Sequence, residues 1–237
     1  MKNHSNDFYQ FENELKKGSL VGDHPVFDRF DFPWVKQLED NYAEIFNEYK
    51  YFIEKVSEHR LMNFQDISEE QKAITNDDKW KVIPLVVCNM VNKKTTAFMP
   101  KTFSVIDNIP EITTCFFSIL YPGKYIPPHR GPYAGVLRCH LPLKVPKDAT
   151  NCWIMIDKVK YSWNLGEVLI FDDTYDHEVF NNTTETRIVL FIDFLRPLPA
   201  ELSELNKGMI EVIKHSDFVQ NPKSIYEDWE NRNLLRI

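Results

Sequence analysis

The pattern of apolar and polar positions changes twice along the chain. From residue 34 to residue 56, apolar residues recur at steps of three and four, the spacing of one face of an α-helix. From Lys79 to Pro197, short β-branched runs alternate with turns that contain Pro or Gly, which is typical of strands. After Pro199 the helical steps return. The pattern therefore predicts helices on both sides of a central β region.

The first helical region is predicted to be one long amphipathic helix. It begins near Pro33, which suits a first turn, with Asp31 placed to cap it, and it extends to Val56. Its aromatic stripe is interpreted as a face packed on the sheet, with partner binding as the alternative. Residues 1 to about 30 lack a clear period and are expected to form an extended arm or loop. Residues 65–78 are expected to form an acidic loop with room for one short helix.

Seven strands are predicted in the central region. They are Trp80–Val91, Thr113–Tyr121, Gly135–Val145, Cys152–Ile156, Lys158–Trp163, Glu167–Phe171 and Thr186–Leu195. Turn signals separate them at Pro122-Gly123, Pro127-Pro128, Gly131-Pro132 and Asn164-Leu165-Gly166. Many short strands with such turns favour a mainly β sandwich or barrel with flanking helices.

The length of 237 residues is enough for one substantial core, and 43% of the residues are hydrophobic. We therefore expect a single domain over residues 1–237. Its parts are an N-terminal arm and helices at 1–79, a catalytic β core at 80–197 and C-terminal helices at 198–237.

The net charge of −7 argues against a nucleic-acid partner, because affinity for phosphate backbones comes largely from Lys and Arg. The longest apolar run, Val82 to Val91, is too short to span a bilayer, and the start of the chain has no apolar signal region. The four cysteines form no CxxC pair, which disfavours structural zinc and is ordinary in a reducing compartment. These features predict a soluble cytoplasmic protein without a membrane span.

Two histidines, His129 and His177, are the candidate metal ligands. A neutral imidazole is a good ligand for Fe(II), and two of them leave coordination positions open for an organic acid and O₂. The commoner oxygenase triad has a carboxylate two residues after the first histidine, but here that residue is Gly131. A third ligand from Asp172, Asp173 or Asp176 remains the less favoured alternative, since carboxylates in such turns usually accept bonds from backbone groups.

Three further residues carry charge or hydrogen-bonding groups in predicted strands. Side chains alternate along a strand, so Arg138 and His140 share one face and the apolar residues between them face the other way. Arg187 begins a strand that is apolar on both faces and is therefore expected to be buried. A buried guanidinium needs an anion, and a ligand carboxylate is the natural candidate.

Two segments carry a family resemblance: FSILYPGKYIPPHRGPYAGVLRCHLPL from Phe117 and GEVLIFDDTYDHEVFNNTTETRIVLFIDFLRP from Gly166. Together they resemble the aspartyl/asparaginyl β-hydroxylase family, over roughly residues 80 to 197. The resemblance implies a double-stranded β-helix, the cupin-like jelly roll of 2-oxoglutarate oxygenases. It also implies a dioxygenase that uses Fe(II), 2-oxoglutarate and O₂ to hydroxylate an aliphatic C–H bond.

The resemblance further implies a role for each candidate residue. His129 and His177 would be the catalytic metal ligands. Arg187 and Ser118 would bind the distal carboxylate of 2-oxoglutarate, while Arg138 and His140 would contact the carboxylate beside the keto group.

The substrate is left open among an amino acid, a peptide and a lipid acyl chain. The peptidyl-aspartyl branch of the family carries an arginine at the position of Val136, whereas the motif HRGPYAGVLRCHL looks closer to bacterial lipid A acyl-chain hydroxylases. Two other kinds of function remain as alternatives. One is an inactive jelly-roll module that binds an organic acid, and the other is a structural β-sandwich that dimerises through the helix near Pro33.

Overall fold

The computed structural model describes residues 2–67 and 72–234. These residues form eight α-helices and twelve β-strands. The helices are α1 Lys2–Lys17, α2 Val35–Asp40, α3 Tyr42–Val56, α4 Phe64–Ile67, α5 Lys93–Ala97, α6 Pro100–Ile106, α7 Ala200–Lys214 and α8 Asp217–Asn233. The strands are β1 Val26–Phe27, β2 Met62–Asn63, β3 Trp80–Val87, β4 Met90–Val91, β5 Ile112–Leu120, β6 Lys124–His129, β7 Val136–Lys144, β8 Cys152–Ile156, β9 Val159–Tyr161, β10 Leu169–Phe171, β11 His177–Asn181 and β12 Arg187–Leu195.

Two antiparallel sheets form the β region. The larger sheet has the order β1-β10-β7-β12-β5-β3-β2, with β4 paired to β3, and the smaller has the order β6-β11-β8-β9. From β5 to β12 the chain passes back and forth between the sheets, except that β8 and β9 form a hairpin within the smaller sheet. This is the topology of a double-stranded β-helix, so the predicted fold class, mainly β with flanking helices around a jelly-roll core, is confirmed.

The long strand β12 lies in the middle of the larger sheet and is almost entirely buried. It pairs with β5 on one side and β7 on the other, with Arg187 opposite Leu120 and Asp193 opposite Arg138. The same register places Phe191 beside His140. Polar residues of β7 and β12 therefore meet on one face of the sheet, as the alternation predicts.

The predicted extended arm at residues 1–30 is wrong, because α1 covers Lys2–Lys17. This helix packs on the loop before β7: the rings of Phe8 and Tyr133 stack at 6.0 Å, and Glu12 accepts a bond from the amide of Ala134 at 2.9 Å. Leu15 is completely buried. Phe8, Phe11 and Leu15 do follow helical spacing, but three apolar residues among many polar ones are a weak signal without the surface they cover.

The predicted helix from Pro33 to Val56 is two helices that break at Asn41. Asp31 does not cap it, since it lies in a separate 3-10 turn that begins after Asp28. The apolar stripe nevertheless packs in the core as expected, with these positions buried: Val35, Leu38, Ile45, Tyr49, Phe52 and Val56. The helical pattern thus predicted the buried face correctly but missed the break.

Other differences concern single strands. The predicted strand Trp80–Val91 is a hairpin of β3 and β4, with Cys88 and Asn89 at positive φ in its turn. Pro127 and Pro128 do not form a turn but lie in β6, an edge strand of the smaller sheet, where a missing amide hydrogen is tolerated. In the acidic loop, α4 ends at Ile67, and residues 68–71 lie outside the described part.

The helices after Pro199 were predicted and are present as α7 and α8. The side chains of α7 and α1 share a small apolar cluster with the chain around β7 and β12, made of Leu15, Tyr133, Leu195, Leu198 and Ile210. Over residues 2–67 and 72–234, no helix is both long and apolar enough to cross a bilayer.

Candidate active site

His129 and His177 lie side by side at the edge of the smaller sheet. They are directly paired residues of β6 and β11, and their ring centroids are 4.1 Å apart. The Nδ1 of His129 lies 2.8 Å from the carbonyl oxygen of Pro127, and the Nδ1 of His177 lies 3.0 Å from that of Tyr175. A carbonyl only accepts, so each Nδ1 carries the proton and each Nε2 keeps a free lone pair, the arrangement of a metal-binding imidazole.

Burial keeps both imidazoles in the neutral form. Desolvation lowers the pKa of His129, and desolvation together with the neighbouring His129 lowers the pKa of His177 to about 3. Neutral imidazole is the form that binds metal ions. Within residues 2–67 and 72–234, no third His, Cys, Asp or Glu joins the pair in a group able to hold a metal ion. Asp172, Asp173 and Asp176 thus do not complete such a group in this structure.

Hydrogen bonds between two turns hold the histidines in register. Gly131 donates its amide to the carbonyl of Asp173 at 2.7 Å, and the Nε of Arg130 donates to the carbonyl of Thr174 at 2.5 Å. Asp172 is completely buried and accepts from both the amide and the hydroxyl of Thr174. The backbone role predicted for carboxylates in this turn is therefore seen at Asp172.

The carboxyl group of Asp173 occupies the space beside Gly131. A Cβ at position 131 would lie 2.0 Å from one of its oxygens. Burial raises the pKa of Asp173 to about 7, although Arg138 lies 2.7 Å away and favours the ionised form. Position 131 carries a carboxylate ligand in the commoner triad. Here it is packed against the carboxyl group of Asp173, which follows the end of β10.

Arg187 is the candidate anion-binding residue and is 2% exposed. Its Nη1 lies 3.4 Å from both the carbonyl and the hydroxyl oxygen of Ser118, and its guanidinium stacks 4.7 Å from the ring centroid of Trp163. Its Nε has no hydrogen-bond partner, and no carboxylate of the described residues pairs with it. Burial lowers its pKa only to about 10, so the guanidinium remains a cation at neutral pH. An uncompensated buried cation fits an anionic ligand.

His140 adds a second unpaired donor to the same cavity. The indole N–H of Trp163 donates to its Nδ1 at 3.4 Å, so the proton of the neutral ring lies on Nε2. That Nε2 is buried and has no hydrogen-bond partner. Desolvation, with the nearby cations Arg187 and Arg138, holds the pKa of His140 well below its usual value. Ser118, His129, Arg138, His140, His177 and Arg187 all line this one cavity.

The environment of Arg138 differs from the expected one, because carboxylates of the protein already surround its guanidinium. It forms a bidentate pair with Asp193 at 2.9 and 3.0 Å, and its guanidinium stacks 4.2 Å from the ring centroid of Phe191. With Asp173 on its other side, its charge is compensated without a ligand. Arg138 therefore lies in the cavity but is not a free anion site like Arg187.

Sequence reasoning missed two tryptophans that line or support the cavity. The indole of Trp80 donates to the Ser118 hydroxyl at 3.0 Å, which leaves that hydroxyl proton free for another acceptor. Trp163 contacts both Arg187 and His140. In the register of β3 and β5, Trp80 lies opposite Leu120 and reaches Ser118 diagonally, and Trp163 lies in a connection between β9 and β10. Both contacts depend on the tertiary fold and not on the local pattern.

Comparison with known proteins finds several relatives. A family model described as aspartyl/asparaginyl beta-hydroxylase matches residues 39–197. An ornithine lipid ester-linked acyl 2-hydroxylase of Rhizobium tropici is 37% identical over 216 residues, which are 91% of this chain and 76% of the relative. The human aspartyl/asparaginyl beta-hydroxylase is 30% identical over 168 residues, 69% of this chain but only 21% of that protein.

Solved structures resemble the fold more distantly. A prolyl-4-hydroxylase of Pseudomonas putida aligns with a TM-score of 0.43 and 13% identity, covering 68% of this chain and 98% of that one. A cupin domain of a transcriptional regulator from Enterobacter cloacae aligns with a TM-score of 0.35 and 14% identity, covering 49% of this chain and 97% of that one.

Proposed function

The chain belongs to the aspartyl/asparaginyl beta-hydroxylase family, and from this premise we propose that it is an Fe(II)- and 2-oxoglutarate-dependent dioxygenase that hydroxylates an aliphatic C–H bond. One observation carries the proposal: two neutral histidines with free Nε2 atoms share a cavity with a buried guanidinium that lacks an anionic partner. In this cavity a metal ion would meet the two histidines, and the dianion 2-oxoglutarate would meet the guanidinium of Arg187.

The chain's own residues would bind, orient and shield the reactants. His129 and His177 would hold the iron through Nε2, because their Nδ1 atoms are bonded to carbonyls. Arg187 and the Ser118 hydroxyl would bind the distal carboxylate of 2-oxoglutarate, and the Nε2–H of His140 would donate to the carboxylate beside the keto group. Arg138, held in its orientation by the two bonds to Asp193, would contact the same carboxylate.

Bound iron supplies the activation of O₂ in this class of reaction. In the overall balance, the substrate C–H, 2-oxoglutarate and O₂ become an alcohol, succinate and CO₂. One oxygen atom enters the alcohol and the other enters succinate, so succinate formation reports the turnover.

For the substrate, an acyl chain is favoured over an aspartyl peptide. The Rhizobium tropici relative, whose alignment covers 91% of this chain, is an ester-linked acyl 2-hydroxylase. The peptidyl-aspartyl branch places an arginine where this chain has Val136. We place the enzyme in a reducing compartment, the cytoplasm, since its four cysteines are free and three of them are buried. Sensing of an organic acid without turnover is the alternative function.

The test is titration of the purified protein with Fe(II) and 2-oxoglutarate without oxygen, followed by admission of O₂. We expect one iron and one 2-oxoglutarate to bind and succinate to form. Arg187→Ala should weaken 2-oxoglutarate binding by about 2–5 kcal/mol while leaving iron binding intact, and Arg187→Lys should restore part of it. The exposed Arg232→Ala serves as the matched control.

Two outcomes would contradict the proposal in different ways. Binding of both ligands without any succinate would favour the organic-acid sensor. Unchanged 2-oxoglutarate affinity in Arg187→Ala would mean that the acid binds elsewhere, and the roles given to Ser118, Arg138 and His140 would be withdrawn with it.

A further inference from the structure

A second cavity lies next to the histidine cavity and has mostly apolar walls. Its volume is about 390 Å³, within the range of roughly 300–1,000 Å³ that small-molecule sites have. Helices α1 and α7 cover one side of it, and the ends of β5, β7 and β12 form the other. Its apolar lining includes Phe8, Tyr133, Val136, Ile210, Val212 and Ile213.

The order of residues along β12 and β7 places this cavity beyond Phe191 and Arg138 as seen from Arg187. On β12, Arg187 and Phe191 line the histidine cavity, and Asp193 lines the apolar one. On β7, Arg138 lines the histidine cavity and Val136 the apolar one. Since a strand advances about 3.3 Å per residue, each of these steps of two residues is roughly 7 Å.

The pair of Arg138 and Asp193 forms the wall that the two cavities share. Each residue belongs to one cavity, and two hydrogen bonds of 2.9 and 3.0 Å join them. A molecule that filled the apolar cavity would therefore end beside the cavity that His129 and His177 line and in which they would hold a metal.

The walls favour an uncharged, flexible occupant. Asp193 is the one charged residue among the described residues that line the cavity, and its charge is compensated by Arg138. A substrate carboxylate would find no free cation there. Val212 is 68% exposed and Phe8 is 37% exposed, so apolar surface continues from the cavity to the outside of α7 and α1.

We propose that this cavity binds the acyl chain of the substrate, with the C–H bond to be oxidised held at the Arg138–Asp193 wall. The inference rests on the proposed function, which it deepens by naming where the substrate lies. Apolar walls bind a methylene chain by removing it from water, and the adjoining polar wall marks where a polar head group can remain hydrogen-bonded.

The test uses the iron-loaded protein with 2-oxoglutarate under nitrogen and the uncharged methyl ester of a dansyl-labelled undecanoic acid as the probe. Its fluorescence reports transfer to an apolar site, and unlabelled methyl palmitate should displace it. Val212→Glu places a carboxylate on the cavity wall, where a bound chain would desolvate it. We expect binding at least about tenfold weaker, a difference of about 1.4 kcal/mol.

Leu205→Glu is the matched control, because Leu205 lies on the same helix and is 60% exposed but does not line the cavity. Its probe affinity should stay within about twofold of the wild type, as for other surface substitutions. Phe8→Glu is a second cavity variant on another helix and should weaken binding as Val212→Glu does. Circular dichroism checks that each variant is folded.

Each outcome decides between the two proposals. Equal probe affinity in Val212→Glu, Phe8→Glu and the wild type overturns the cavity assignment, and so does equal weakening in Leu205→Glu, which would indicate adsorption to the surface of α7. Failure of the wild type to bind Fe(II) and 2-oxoglutarate overturns the proposed function instead, whatever the probe shows.

Discussion

At the scale of single residues, Gly131 shows how one missing side chain shapes the site. The carboxyl group of Asp173 fills the space in which a Cβ at position 131 would lie, and Arg138 contacts that carboxyl group at 2.7 Å. A carboxylate ligand at position 131 would displace this ion pair. The site therefore depends on glycine for space, and not for a left-handed backbone, because the glycines at positive φ are Gly22, Gly123 and Gly166.

We expect Gly131→Ala to lower the free energy of unfolding by about 1–3 kcal/mol, since even one extra methyl group overpacks this contact. The shift of Asp173 would also move the turn that carries His177, so Fe(II) affinity should fall. Urea unfolding of the metal-free protein and anaerobic iron titration measure the two effects.

Gly208→Ala is the control for the loss of a glycine. Gly208 lies inside α7, and beyond the neighbouring backbone of its own helix an alanine methyl group there would have no described atom within 4 Å. Alanine should therefore stabilise the helix by up to about 1 kcal/mol. If Gly131→Ala were as stable as the wild type and bound iron normally, the close packing of Gly131 and Asp173 would be refuted.

At the scale of elements, α3 supplies the N-terminal cap of α6. The residue before α6, Met99, makes no capping bond with its side chain. Instead Glu48 of α3 accepts from the amides of Lys101 and Thr102 at 2.9 and 2.7 Å, and from the Thr102 hydroxyl at 2.7 Å. A negative group at a helix N-terminus also interacts favourably with the helix dipole. The two helices are therefore joined by a tertiary cap.

Glu48→Ala should lower the free energy of unfolding by about 0.5–2 kcal/mol, the usual cost of removing a cap. Glu48→Gln keeps an acceptor but loses the charge, so its free energy of unfolding should lie between those of the wild type and Glu48→Ala. The exposed Glu44 on the same helix is the control, and Glu44→Ala should change stability by less than about 0.5 kcal/mol. Equal urea midpoints for Glu48→Ala and Glu44→Ala would show that α6 does not depend on this cap.

At the scale of the whole molecule, Asn181 connects the two sheets. It lies at the end of β11 in the smaller sheet and is completely buried. Its Nδ2 donates to the carbonyl of Leu120, at the end of β5 in the larger sheet, at 3.0 Å and to that of Glu185 at 3.0 Å. Its Oδ1 accepts from the Thr183 hydroxyl at 2.8 Å. One side chain thus holds together the sheet that carries both histidines and the sheet that carries Arg187.

We expect Asn181→Ala to lower the free energy of unfolding by about 1–3 kcal/mol for each buried carbonyl left without a donor. Hydrogen exchange should also speed up at β11 and at the start of β12, because the turn between them loses its bonds. The neighbouring Asn182 is exposed and serves as the control. If exchange in Asn181→Ala matched that in Asn182→Ala, the connection between the sheets would not depend on this residue.

The sequence by itself determined most of what repeats along the chain. Alternation in β7 placed Arg138 and His140 on one face, and the apolar run of β12 predicted that Arg187 is buried. The helical stripe up to Val56 predicted which side of α2 and α3 faces the core. Such patterns are local: each side chain's direction follows from the backbone geometry of its own element.

The tertiary structure alone decided which charges and rings meet. Asp193 neutralises Arg138 because β12 pairs with β7 in one register, and Asp173 fills the space at Gly131 because two distant turns are hydrogen-bonded. The N-terminal helix forms where the loop around Tyr133 offers it a surface. These contacts join residues far apart in the chain, so their energies depend on strand order and register, which no local pattern contains.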